Sequence, residues 1–161
     1  MALEIKLAYE EKEHIKILFT EYTNLLSNLE SEFQAYLQIQ NYDMEIEDLN
    51  EKYGMPEGRL YIAYLDNQVA GCIGLKPIHK THCEMKRLYV RPEFRGNGIA
   101  KALVELIVRD AKEIGYHWML LDTFPALNDA IKLYEKMGFY QIPAYNDSPV
   151  KNTIFMRLDL G

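Results

Sequence analysis

The sequence predicts an α/β (α+β) domain, and three observations carry that reading. Short β-patterned runs at residues 60–65, 69–75 and 82–90 follow one another with two short connections, which makes an antiparallel meander. Helical apolar spacing flanks this block on both sides, over about residues 15–29 and 99–114. A glycine-rich turn, Arg95-Gly96-Asn97-Gly98, joins the last of these strands to the second helix.

Taken in order, residues 3–8 alternate apolar and polar side chains and read as a half-buried strand. Ile15, Leu18, Phe19, Tyr22, Leu25, Leu26 and Leu29 then recur at three-to-four spacing, which builds one apolar helix face and leaves Glu13, Lys16 and Glu21 outside. Residues 30–58 are less regular and strongly acidic, a second helix and a loop that Pro56 and Gly58 end. Asp66-Asn67-Gln68 is a tight turn between the first two strands of the meander, and Arg91-Pro92 ends its third, because proline lacks an amide donor. The following helix has a wet stripe of Lys101, Glu105, Arg109 and Lys112 and a dry one of Leu103, Val104, Ile107, Val108, Ala111 and Ile114. Gly115 stops it. Residues 118–122 form a strand, Asn128 caps a helix running to Met137, and Gly138 ends that helix so that Phe139 packs back on it. A loop at Tyr145–Pro149 precedes a last strand at residues 153–158.

Composition narrows the function classes. The 161 residues suit one domain over 1–161, and 48% hydrophobic with 26% charged residues is ordinary for a soluble chain. The N-terminus has no apolar signal run and no stretch suits a membrane span, so a cytoplasmic protein is expected. The net charge of −6 is uneven: residues 1–58 carry 13 acidic and 4 basic side chains, and residues 59–161 carry 11 and 14. A phosphate-bearing ligand therefore belongs to the second part, and nucleic acid is disfavoured as the main partner. Cys72 and Cys83 fall on strands where a hairpin could bring them close; two buried thiols are favoured over a disulfide. His14, His79, His82 and His117 show no ligand spacing, so no metal is expected.

The turn at Arg95–Gly98 carries the chemistry. The first amides of a helix lack intrahelical acceptors and lie at the positive end of its dipole. Gly96 and Gly98 remove side chains that would hold a phosphate off those amides, and Arg95 and Lys101 add positive charge. The alternative is a loop whose glycines serve only its own geometry. A Gly-Lys-Ser/Thr ending is missing, as is a third glycine three residues on, which sets aside the Walker A and Rossmann loops.

Arg95-Gly96-Asn97-Gly98-Ile99-Ala100, preceded by Glu84-Met85-Lys86-Arg87-Leu88-Tyr89-Val90 and followed by Asn128 and the ending Tyr134-Glu135-Lys136-Met137-Gly138-Phe139, resembles the GNAT superfamily of N-acetyltransferases over roughly residues 60–140. The resemblance implies a mixed, mostly antiparallel sheet splayed between its fourth and fifth strands and flanked by about four helices. It implies acetyl-CoA as co-substrate, with Leu88, Tyr89, Val90, Arg95, Gly96, Asn97, Gly98, Ile99, Ala100, Lys101 and Asn128 binding it. Lys132 is either a further phosphate contact or an exposed helix lysine.

The resemblance further implies direct transfer to an amine in a ternary complex, with no nucleophilic side chain. Tyr134 matches the general acid; the alternative is a core aromatic. Glu84 is the candidate base; alternatively it pairs structurally with Lys86, with which, as with Leu88, strict alternation puts it on one face. Asp43, Glu45, Glu47, Asp48 and Glu51 either attract a cationic acceptor or form a solvated face, the reading favoured here. The Tyr145–Pro149 loop is a candidate lid. The partners implied are acetyl-CoA and an amine acceptor, with no membrane or nucleic acid, and a homodimer is left open. The competing readings are a non-catalytic acyl-CoA-binding regulatory module of the same fold and a different nucleotide-binding α/β domain.

Overall fold

The computed structural model describes residues 2–161. Seven strands make one sheet in the order β1-β2-β3-β4-β5-β7-β6. They are β1 (Leu3–Leu7), β2 (Arg59–Leu65), β3 (Gln68–Pro77), β4 (His82–Val90), β5 (Trp118–Thr123), β6 (Tyr140–Ile142) and β7 (Ile154–Asp159). All neighbours are antiparallel except β4 and β5. The helices are α1 (Lys12–Leu29), α2 (Phe33–Ile39), α3 (Tyr42–Glu47), α4 (Leu49–Tyr53), α5 (Ile99–Ile114) and α6 (Asn128–Lys136).

The two faces of the sheet bury different stripes. On one, Leu103, Val104, Ile107 and Ala111 of α5 and Tyr134 of α6 pack on Leu75, Met85, Val90, Met119 and Leu121. On the other, Ile15, Leu18 and Phe19 of α1 and Tyr53 of α4 pack on Leu60, Ile62, Cys72 and Tyr89. A third cluster joins Leu26, Phe33, Tyr36 and Leu37 of the N-terminal helices to Phe124 and Val150.

The parallel pairing of β4 and β5 is short, running only from His82↔Trp118 to Glu84↔Leu120. Beyond it β5 pairs only with β7, over Leu121, Asp122 and Thr123, while β4 bulges. The β3–β4 register passes from Gly74↔Lys86 to Cys72↔Tyr89, which leaves an extra residue on β4, and Arg87 there has φ +59°. The strands diverge into a V, as the family resemblance implies.

The bulge overturns strict alternation. Glu84 and Lys86 share one face, but Leu88 packs on the α5 side with Met85 and Val90. The acidic stretch contains three short helices rather than one, because Phe33, Tyr36, Leu37, Leu49 and Tyr53 each find a buried seat. Gln68 opens β3 instead of closing the turn, and β6 is an additional short strand. Glu21 is drawn inward by Arg91, whose Nη2 lies 2.8 Å from its Oε2. Leu127 rather than Asn128 stands at the cap of α6, and no side-chain bond caps that helix. Cys72 faces Tyr89 and Cys83 faces Pro77 across the β3–β4 ladder, so the two thiols lie in opposite cores; both are buried and free.

Candidate active site

Where β4 and β5 part, a cleft of about 430 Å³ opens. One wall is Leu88, Tyr89 and Val90 of β4, with Tyr22 and Leu25 of α1 near them. The other is Asp122 and Thr123 of β5 with Asn128, Leu133 and Tyr134 of α6. No β5 residue pairs with β4 beyond Glu84, so that edge of Leu88–Val90 is open to an added hydrogen-bonding chain.

The far end is closed by the turn into α5. Gly96 has φ +82° and Gly98 φ +74°, conformations that a side chain resists. A Cβ built on either meets nothing within 4 Å, so the glycines keep open space in front of the backbone. The first amide of α5 to bond within the helix is Ala102, to Gly98 at 3.1 Å, which leaves the amides of Ile99, Ala100 and Lys101 directed out of the helix end. Arg95 donates from Nε to the Val90 carbonyl at 3.0 Å, and Asn97 donates from Nδ2 to the Phe94 carbonyl at 2.8 Å. These two bonds fix the loop on the end of β4. Among the sequence-predicted cofactor residues, all but Asn97 line the cleft. Lys132 is exposed and lies outside the lining.

Tyr134 is buried against Phe139, with ring centroids 5.7 Å apart, yet its hydroxyl has no hydrogen-bond partner among the described residues. Burial, and then the neighbouring Tyr22 and Asp122, push its pKa well up. It is therefore protonated across the neutral range. The Thr123 hydroxyl, also in the lining, is buried without a partner.

Glu84 lies outside this lining, at the foot of the V and on the other face of β4. Tyr145 donates to its Oε2 at 2.5 Å, and Lys86 Nζ stands 3.9 Å from its Oε1. Burial pushes the Lys86 pKa down, while Glu84 pulls the other way. Asp122, one residue from the end of β5, faces into the cleft. Its Oδ2 accepts from the Tyr36 hydroxyl and, at 2.9 Å, from Asn146 Nδ2. Sequence reasoning missed Asp122, Thr123, Tyr36 and Asn146. The available signal was an acid closing an apolar run, Met119-Leu120-Leu121-Asp122.

The expected acidic face divides. Glu45 is fully buried and holds Arg87 at 2.8 and 2.9 Å and Lys52 at 2.8 Å, whereas Asp43, Glu47, Asp48 and Glu51 are exposed. Among the described residues, no group of three or more His, Cys, Asp or Glu side chains is placed to hold a metal, and no helix is long and apolar enough to cross a membrane.

Residues 22–139 match the acetyltransferase (GNAT) family. The chain belongs to that family. This acetyltransferase is 36% identical to an uncharacterised N-acetyltransferase of Schizosaccharomyces pombe over 94% of this chain and 90% of the relative. It is 32% identical to another of Dictyostelium discoideum, over 99% and 100%. An acetyltransferase of Streptococcus agalactiae superposes with a TM-score of 0.74 at 24% identity, covering 98% of each chain. An acetyltransferase of Bacillus anthracis solved with acetyl coenzyme A is 28% identical, with a TM-score of 0.58 over 68% of this chain and 66% of that one.

Proposed function

We propose that this acetyltransferase moves an acetyl group from acetyl-CoA to a primary amine by direct transfer in a ternary complex. The observation that carries the reading is the continuous path from the free amides of α5, along the unpaired edge of β4, to the Tyr134 hydroxyl. Two features of the cleft fit the coenzyme: the open cradle before Gly96 and Gly98, and the unpartnered Thr123 hydroxyl.

Acetyl-CoA supplies the acetyl group on a thioester. The amides of the Gly96–Gly98 turn and of the first turn of α5, with the Arg95 and Lys101 side chains beside them, hold the pyrophosphate. Backbone groups of Leu88 and Val90 hold the pantetheine arm and turn the thioester carbonyl toward the strand amides, which stabilise the charge that develops on its oxygen. Asn128 lines the same arm. The amine nitrogen forms a bond to the acetyl carbon as the carbon–sulfur bond breaks. Tyr134 gives its hydroxyl proton to the departing sulfur, and the amine gives one up to a carboxylate. Glu84 and Asp122 are the two carboxylates at the foot of the V.

Calorimetry with acetyl-CoA tests the assignment. The wild type is expected to bind at micromolar concentration, and Gly98→Glu to abolish binding by placing a side chain and a negative charge in the cradle. Folded wild type that fails to bind acetyl-CoA would overturn the reading.

A further inference from the structure

We infer that Asp122, rather than Glu84, receives the ammonium group of the acceptor, an inference that rests on the coenzyme site proposed above. Two observations separate the carboxylates. Asp122 lines the same cleft as Tyr134 and the open edge of β4, and Glu84 does not. The coordination of the two also differs. Glu84 is engaged at both oxygens, by the Tyr145 hydroxyl on one and by Lys86 on the other. Asp122 is engaged at one oxygen only. Tyr36 and Asn146 converge on Oδ2, and Asn146 also donates to the Tyr36 hydroxyl at 2.9 Å. Oδ1 has no hydrogen bond among the described residues.

That arrangement orients a carboxylate. The two donors come from elements far apart in the chain: Tyr36 from α2, Asn146 from the loop between β6 and β7. They fix the plane of the carboxyl group and leave one oxygen for a donor in the cleft. The donor that complements it is a cation with N–H groups, since a charge-assisted bond is about twice as strong as a neutral one. A primary ammonium is such a group, and it is the protonated form of the nucleophile. Asp129, which also lines the cleft, stands exposed on the first turn of α6 with no side chain orienting it. At the other end of the cleft the charge is reversed, with Arg95 and Lys101 beside the cradle. Anionic coenzyme and cationic acceptor are thereby sorted to opposite ends.

The test uses two coenzyme analogues that need no known acceptor. S-(2-aminoethyl)-CoA carries an ammonium just beyond the sulfur, and S-propyl-CoA is its neutral isostere. Calorimetry at pH 7 on the full chain is expected to show the aminoethyl analogue binding about tenfold or more tightly than the propyl one, the range of a hydrogen bond to a charged group. Asp122→Asn is expected to bring the ratio near one while leaving S-propyl-CoA affinity unchanged, which also certifies the fold. Tyr36→Phe should shrink the ratio, and Glu84→Gln should keep it. Equal affinity of the wild type for both analogues overturns the inference, as does an Asp122→Asn variant that keeps the preference or a Glu84→Gln variant that loses it. In each of these cases the coenzyme reading survives. Failure of folded wild type to bind either analogue removes the coenzyme reading and the Asp122 inference with it.

Discussion

Tyr134 combines burial with an unpartnered hydroxyl on a cleft wall. The ring is buried, but its oxygen is not fully enclosed, so a group in the cleft can reach it. The hydroxyl is protonated through neutral pH, the state from which a proton donor to a leaving sulfur would act. Tyr134→Phe removes only the oxygen and leaves the ring against Phe139. The expected outcome is a kcat lowered about 10²–10⁴-fold, the range for a general acid, with acetyl-CoA affinity unchanged. Equal steady-state rates for the two proteins, with any amine found to be acetylated, would return Tyr134 to the core.

Element by element, the N-terminal helices are attached to β4 by charge. Glu45 of α3 meets Arg87 at the bulge, Lys52 and the Tyr53 hydroxyl of α4, the last at 2.8 Å. Gln40 bridges Lys86 and Arg87 at 3.0 and 2.7 Å. The bulge that turns Leu88 into the cleft is thus braced from behind. Burial raises the Glu45 pKa, but Arg87 and Lys52 outweigh it and hold it at about 2, below the 4.5 of a free carboxyl. As pH falls, the unfolded chain takes up this proton first, so the stabilisation is complete above about pH 4.5 and fades toward pH 2. Urea midpoints measured across that window should fall more steeply for wild type than for Glu45→Gln. At pH 7 the variant leaves two cations without their buried partner and is expected to lose about 3–5 kcal/mol.

At the scale of the whole molecule, the V sets dynamics as well as binding. Three residue pairs hold β4 to β5, whereas β3 and β5 each have long ladders on their outer sides. The two halves of the sheet are joined at the foot of the V and, on the side of the N-terminal helices, by Phe33, Tyr36, Phe124 and Val150. A ligand that adds to the open edge of β4 completes the missing ladder. Acetyl-CoA at a hundred times its Kd should therefore stabilise the protein by about 2.7 kcal/mol. Hydrogen exchange should slow at Leu88–Val90 and at the first turn of α5. Protection spread evenly over the chain, or confined to other strands, would contradict binding in the V.

The sequence by itself determined whatever depends on neighbouring residues. The glycine turn, the dry stripe of α5 and the Tyr134–Phe139 ending each express local backbone geometry or a single period, and all were legible. So were the meander and the splayed sheet, the latter through family resemblance. Only the tertiary structure decided what depends on residues far apart in the chain. Asp122 meets a tyrosine 86 positions before it and an asparagine 24 after it, and no local pattern announces such a contact. The bulge at Arg87 places a non-glycine residue at positive φ, so its composition gave no warning, and it reversed the face of Leu88. Glu45 looked like one acid of a solvated run, because its burial depends on cations supplied by other elements. Periodicity tells which side of an element is dry; the chemistry of a buried charge depends on what the fold brings to meet it.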